Sequence, residues 1–188
     1  MHENNKTTHE ITFTNSYIHK GSYFIVASVV DDFCENELNR IWQYIYENDN
    51  WTYHDQNFIV SAITLFIEVL TGEKFIAYMS TEGHLVMMNN KGNIKEKIPL
   101  SGIFSEGAEG LGYMTGLNQI GNHLYACGGR GQVYKRLGPD QWVQMDAGIR
   151  QSVQTPLDEC HHLMDINGPS EDAIYATANH GKVLFWNG

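Results

Sequence analysis

Positive charge is scarce in this chain: 12 Lys and Arg residues stand against 22 Asp and Glu, for a net charge of −10. Nucleic acids and anionic membranes are held mainly by Lys and Arg on phosphate, so neither is expected as a partner, and a basic protein is. Cysteine is sparse as well. Cys34, Cys127 and Cys160 are an odd number without zinc-type spacing, which argues against a disulfide framework and against a metal knot. The start, MHENNKTTHE, is polar where a secretory leader would carry an apolar stretch, and with the cysteine usage it gives the expectation of a reducing, cytoplasmic setting. Long apolar runs are also missing. The longest, residues 58–70, is interrupted by Ser61, Thr64 and Glu68 and is too short to cross a bilayer as a helix.

Catalytic signatures are absent too. There is no G-x-S-x-G and no H-E-x-x-H, and Gly181-Lys182 lacks both the upstream glycine and the following Ser or Thr of a phosphate loop. Cys34 lies among Asp31, Asp32 and Glu35, which raise a thiol pKa rather than lower it. No catalytic residue, cofactor or resident metal is expected.

What the chain does contain is a repeat. KFIAYMSTEGHLVMM, HLYACGGRGQVYKRL and AIYATANHGKVLFWN each run an apolar strand through a glycine-bearing turn into a second apolar strand. Their central glycines, Gly83, Gly131 and Gly181, are 48 and 50 residues apart (131 − 83 and 181 − 131), the length of a four-stranded propeller blade. With 42% hydrophobic and 12% aromatic residues the chain has the material for such a core. The expected fold is all-β, a single β-propeller-like domain of four four-stranded antiparallel blades. The repeats span about residues 10–57, 58–100, 110–147 and 160–188, behind a disordered tail over residues 1–9.

Turn chemistry places the strands within each repeat. Gly121-Asn122, Gly128-Gly129-Arg130-Gly131 and Gly138-Pro139-Asp140 punctuate the third repeat, and Thr71-Gly72, Glu82-Gly83 and Lys91-Gly92 the second. The first repeat is recovered from Arg40-Ile41-Trp42-Gln43-Tyr44 followed by Trp51, which parallels residues 132–136 followed by Trp142. Its loop, residues 31–39, is the largest departure from the pattern. The fourth repeat yields only three strands, ending at Lys182 to Trp186. Either Ile11 to Tyr17 closes that blade, or it has an open edge that invites a homodimer, or the chain is part of a longer propeller.

The segments 165–176 and 181–188 resemble the repeats of bacterial β-propeller proteins, which are similar in architecture to WD-repeat and kelch proteins. The resemblance is carried by residues 110–188. It implies a fold and a style of binding, and no catalytic residue follows from it.

Several groupings could bind a ligand. His161 and His162 lie near Asp158, Glu159, Cys160 and Asp165, but strand neighbours point to opposite faces, so the two histidines do not share an ion and no metal site is read there. His162 and Asp165 remain ligand candidates at the entry to an inner strand. Arg130, in a run of glycines, is a third: its turn reads first as a hairpin and second as an anion nest. Trp42, Trp51, Trp142 and Trp186 read as packing between blades, with a partner or sugar-stacking role for any that is exposed.

Two functions are therefore weighed. The first is a non-catalytic protein-binding module, such as an immunity protein that neutralises a basic bacterial toxin, with its binding face on Asp31, Asp32, Glu35, Glu37, Glu106 and Glu109. The second is a glycan-binding or hydrolase-like propeller with a ligand site at the central channel, which needs exposed aromatics beside carboxylates on one face.

Overall fold

The computed structural model describes residues 10–19, 21–30, 38–104 and 110–187. Among them the chain is all-β, in four antiparallel sheets, and no α-helix occurs. No helix among the described residues is long and apolar enough to cross a membrane. The chain divides into two compact units, Met1–Val60 and Ser61–Gly188.

The first unit holds one meander: β1 (Ile11–His19), β2 (Tyr23–Val30), β3 (Asn39–Ile45) and β4 (Asn50–Gln56), paired in chain order. A bulge between Phe13 and Asn15 resets the β1–β2 register. Alternation sorts the side chains: Ile25, Ala27 and Ile41 are fully buried on one face, while the other carries an aromatic series.

The second unit holds three further meanders. The second sheet is β5 (Val60–Ile67), β6 (Lys74–Ser80), β7 (His84–Asn89) and β8 (Gly92–Lys97); the third is β9 (Met114–Ile120), β10 (His123–Gly128), β11 (Val133–Gly138) and β12 (Gln141–Gln144). The fourth has three strands, β13 (Leu163–Ser170), β14 (Ala173–Ala178) and β15 (Val183–Trp186). Among the described strands β1 pairs with β2 alone. Ile11 to Tyr17 therefore completes the first sheet rather than the fourth, and β15 is an edge strand.

The third sheet is covered on both faces. Leu124, Ala126 and Tyr134 join Ala77, Met79, Leu85 and Met87 of the second sheet in one core. Tyr125, Cys127 and Val133 join Leu163, Ile166, Ile174 and Ala176 of the fourth in another. Period-two alternation along β10 and β11 is what feeds the two cores from one sheet. The backbones come close at Gly116 of β9, where a Cβ would lie 3.0 Å from the Asp165 Cα of β13. There the Thr115 hydroxyl donates to the Leu163 carbonyl across 2.5 Å.

Polar ties sit at the rims of these cores. Arg136 of β11 grips the Glu96 carboxylate of β8 through Nε (3.1 Å) and Nη2 (2.6 Å), and the Trp142 indole N–H donates to the same carboxylate at 3.0 Å. Both charged side chains are buried, so each depends on the other for its compensation. On the opposite face, Glu171 in the β13–β14 hairpin accepts from Lys135 (2.6 Å), lies 2.7 Å from His123 Nδ1 and accepts the Asn122 N–H at 3.0 Å.

Candidate functional site

The repeat places one residue in the middle of the same hairpin turn in each sheet of the second unit: Glu82, Arg130 and His180. The glycines that follow them, Gly83, Gly131 and Gly181, have φ of 76°, 77° and 69°, a region that only glycine enters cheaply. Arg130 and His180 are themselves left-handed, at φ 54° and 58°. Because both turns share this geometry, it belongs to the repeat and not to one special site. In the second and third sheets the middle residue anchors the segment that leaves its own sheet. Glu82 Oε2 accepts the N–H groups of Ile103 (3.0 Å) and Phe104 (2.8 Å). Arg130 Nη1 donates to the carbonyls of Ser152 and Thr155, both at 2.8 Å, and lies 2.9 Å from Cys160 Sγ. An acid holds backbone donors and a base holds backbone acceptors at equivalent positions. His180 is exposed.

Beside the second of these turns opens a cavity of about 380 Å³, lined by Arg130 and His162 together with Leu111, Tyr113, Leu157 and Met164. The Arg130 residue is only 7% exposed. The His162 backbone is fixed by Asn179: its N–H donates to Asn179 Oδ1 (3.2 Å) and its carbonyl accepts the Asn179 N–H (3.0 Å). Two of the three ligand residues expected from the sequence thus meet in one cavity. Asp165 does not join them. It is exposed, and its Oδ1 accepts the N–H of Ile166 at 2.8 Å.

The acidic residues expected to meet a partner, Asp31, Asp32, Glu35, Glu37, Glu106 and Glu109, lie outside the described residues, as does Cys34. Cys127 is buried in the core, and burial, reinforced by Asp165, pushes its thiol up to about 12. It is held as a neutral thiol, without nucleophilic character near neutral pH.

The first sheet carries a different surface. On β3 and β4 the cross-strand partners Arg40 and Asp55, Trp42 and Tyr53, and Tyr44 and Trp51 share one face. The Arg40 guanidinium is bidentate on Asp55, with Nε to Oδ1 at 2.7 Å and Nη2 to Oδ2 at 2.9 Å. Its carbon stands 4.3 Å from the Tyr53 ring centre. The hydrogen bond from Arg40 holds the Asp55 carboxyl below the usual range. Trp42 and Tyr53 rings lie 5.4 Å apart, Tyr44 and Trp51 5.1 Å. A groove of about 670 Å³ runs along this face, lined by Phe13, Phe24, Val26, Trp42 and Trp51. Trp51 is 53% exposed and Phe13 63%, so apolar aromatic area faces solvent.

This aromatic face is what sequence reasoning did not assemble. Its signal is the alternation itself: Arg40, Trp42 and Tyr44, then Trp51, Tyr53 and Asp55, at every second position. Phe13 carries no such signal, because the bulge in β1 breaks the period.

No protein-family model matches the chain. No curated protein matches it either.

Proposed function

We propose that the protein is a non-catalytic protein-binding module of β-propeller type, its sheets serving as blades, which captures a basic protein in the cytoplasm. The observation that carries this reading is the outward aromatic face of the first sheet. Trp, Tyr and Arg are the residues on which binding energy concentrates at protein interfaces, and here Arg40, Trp42, Trp51 and Tyr53 share the face on which Trp42 and Trp51 line an apolar groove. A net charge of −10 favours fast encounter with a cationic partner. An immunity protein that neutralises a basic bacterial toxin is the instance that fits these properties. The packing of the third sheet, between the second and the fourth, supports the blade reading. The open edge at β15 supports self-association through the last sheet.

A glycan-binding role ranks behind this one. The carboxylates beside the aromatics are engaged: Asp55 by Arg40 and Asp49 by the Tyr44 hydroxyl at 2.5 Å. Arg40 takes both oxygens of Asp55 and Tyr44 one of Asp49, which reduces what is left to receive sugar hydroxyls.

The test is a photo-crosslinking amino acid placed at Tyr53 of the full chain in living cells, with mass spectrometry of the adducts. A single adduct to a basic protein, lost when Trp51→Ala is added, is the expected result. The purified partner should then bind the Trp51→Ala protein about 30-fold more weakly, the size of an interface hot spot. Adducts only to acidic proteins, or none at all, sink the reading.

A further inference from the structure

We propose that the cavity beside the Arg130 turn binds a monocarboxylate carried on an apolar stem, with Arg130 Nε and Nη2 as the recognition edge. The other arginines of the chain are each paired with a carboxylate. Arg40 and Arg136 each present Nε and Nη2 to a carboxylate, Asp55 and Glu96 respectively. Arg150 pairs with Asp146. Arg130 has no carboxylate partner among the described residues, although it is one of the residues that line a cavity.

Its engaged contacts all fall on Nη1, which meets two carbonyls and the Cys160 sulfur. Neutral dipoles compensate a buried cation only in part, and an unpaired buried charge is destabilising relative to water. The Nε and Nη2 hydrogens remain, and they project in parallel at the spacing of two carboxylate oxygens. Among the described residues neither nitrogen is sealed off without a partner, so the edge reaches accessible space. A lysine would offer a point charge without this fork.

The rest of the lining sets the stem. Ile103, Leu111, Leu157 and Met164 are apolar, and about 380 Å³ is within the range of small-ligand sites. Tyr113, Thr115 and His162 are the neighbouring polar side chains, and the Thr115 hydroxyl is already engaged with the Leu163 carbonyl. One net negative charge balances one guanidinium, which favours a carboxylate over a doubly charged phosphate monoester. The carboxylate has two sources, a free organic acid or the C-terminus of a peptide, and the chemistry at Arg130 is the same for both.

The probes are 3-phenylpropionate with its amide, and N-acetyl-Gly-Phe as free acid and as C-terminal amide, titrated into the isotope-labelled full chain and followed by amide NMR. The expected result is a saturable shift of Leu111, Gly112, Gly129, Arg130 and His162 with at least one acid, and at least about tenfold weaker binding of the matching amide, as expected for loss of a charge-assisted bidentate pair. Tighter binding of the free acid points to a metabolite as the source, and tighter binding of the peptide acid to a chain terminus. Leu157 is 66% exposed, so Leu157→Trp fills the cavity mouth without emptying a core and should abolish the shifts in an otherwise unchanged spectrum. Arg130→Lys, checked for an intact spectrum, should weaken binding by a similar factor. No saturable shift with either acid up to about 10 mM, equal affinity for acid and amide, or full binding by the Leu157→Trp protein would overturn the proposal. Trp51→Ala, which tests the protein-binding face, should leave these affinities unchanged, so the two readings fail separately.

Discussion

Glu171 joins two sheets with one carboxylate. Burial raises its pKa, but hydrogen bonds from Lys135, His123 and the Asn122 N–H outweigh burial and bring it from its ordinary 4.5 to about 2. A folded-state pKa below the unfolded one contributes stability that is fully present above the unfolded value and is lost as pH falls through the folded value. The Glu171 contribution should therefore be intact at pH 7 and fade between pH 4.5 and about 2. Glu171→Gln should cost about 1–3 kcal/mol in urea unfolding at pH 7 and progressively less towards pH 2; a constant deficit across that range would mean the charge is irrelevant. The buried Arg136–Glu96 pair makes a contrasting case. Glu96→Ala strands a buried guanidinium and should cost about 3–5 kcal/mol, whereas Arg136→Met with Glu96→Leu should restore only part of that, because an apolar pair removes both desolvation penalties while the Trp142 indole N–H loses its acceptor. Neither tie was legible in the sequence. Glu171 sits 48 residues from His123 and 36 from Lys135, and only the stacking of two sheets brings them together.

At the scale of the element, the turns were the most legible part of the chain, because their chemistry is local. Gly83, Gly131 and Gly181 announced hairpins by spacing alone, and all three have the positive φ that such turns demand. The first sheet was legible in outline from Trp42 and Trp51, whereas the anchoring job of Glu82 and Arg130 was not, since it depends on where the chain goes twenty residues later. Two glycines at one turn position allow a clean comparison. A Cβ on Gly181 meets nothing within 4 Å, while one on Gly131 would lie 2.4 Å from the Ile149 carbonyl oxygen. Gly181→Ala should cost about 1 kcal/mol, the left-handed penalty alone. Gly131→Ala adds a backbone collision and should cost roughly 3 kcal/mol or more. Thermal unfolding of both variants decides it: equal losses would show that the segment around Ile149 yields freely.

For the whole molecule the repeat relates faces as well as turns. The second sheet packs Ala77, Met79, Leu85 and Met87 against the third. The residues 48 further on include Tyr125, Cys127 and Val133, which the third sheet packs against the fourth. Another 50 residues on are Tyr175, Thr177, Val183 and Phe185, and this equivalent face of the fourth sheet is exposed, with Tyr175 and Phe185 stacked at 4.8 Å. Among the described residues of the second unit this surface has no neighbouring sheet, and it lies beside the open edge of β15. Exposed apolar faces and open edges both favour association. The molar mass by sedimentation should thus rise with concentration, and Tyr175→Glu with Phe185→Glu should hold the protein monomeric at an unchanged unfolding temperature, because Ile174 and Ala176 keep the inner core. Salt separates this association from capture of a basic partner. Apolar contact persists or strengthens at about 1 M NaCl, where the Debye length falls to about 3 Å, while steering by a net charge of −10 is largely screened. Self-association that instead dissolves in salt would place the contact on charged residues and away from the last sheet.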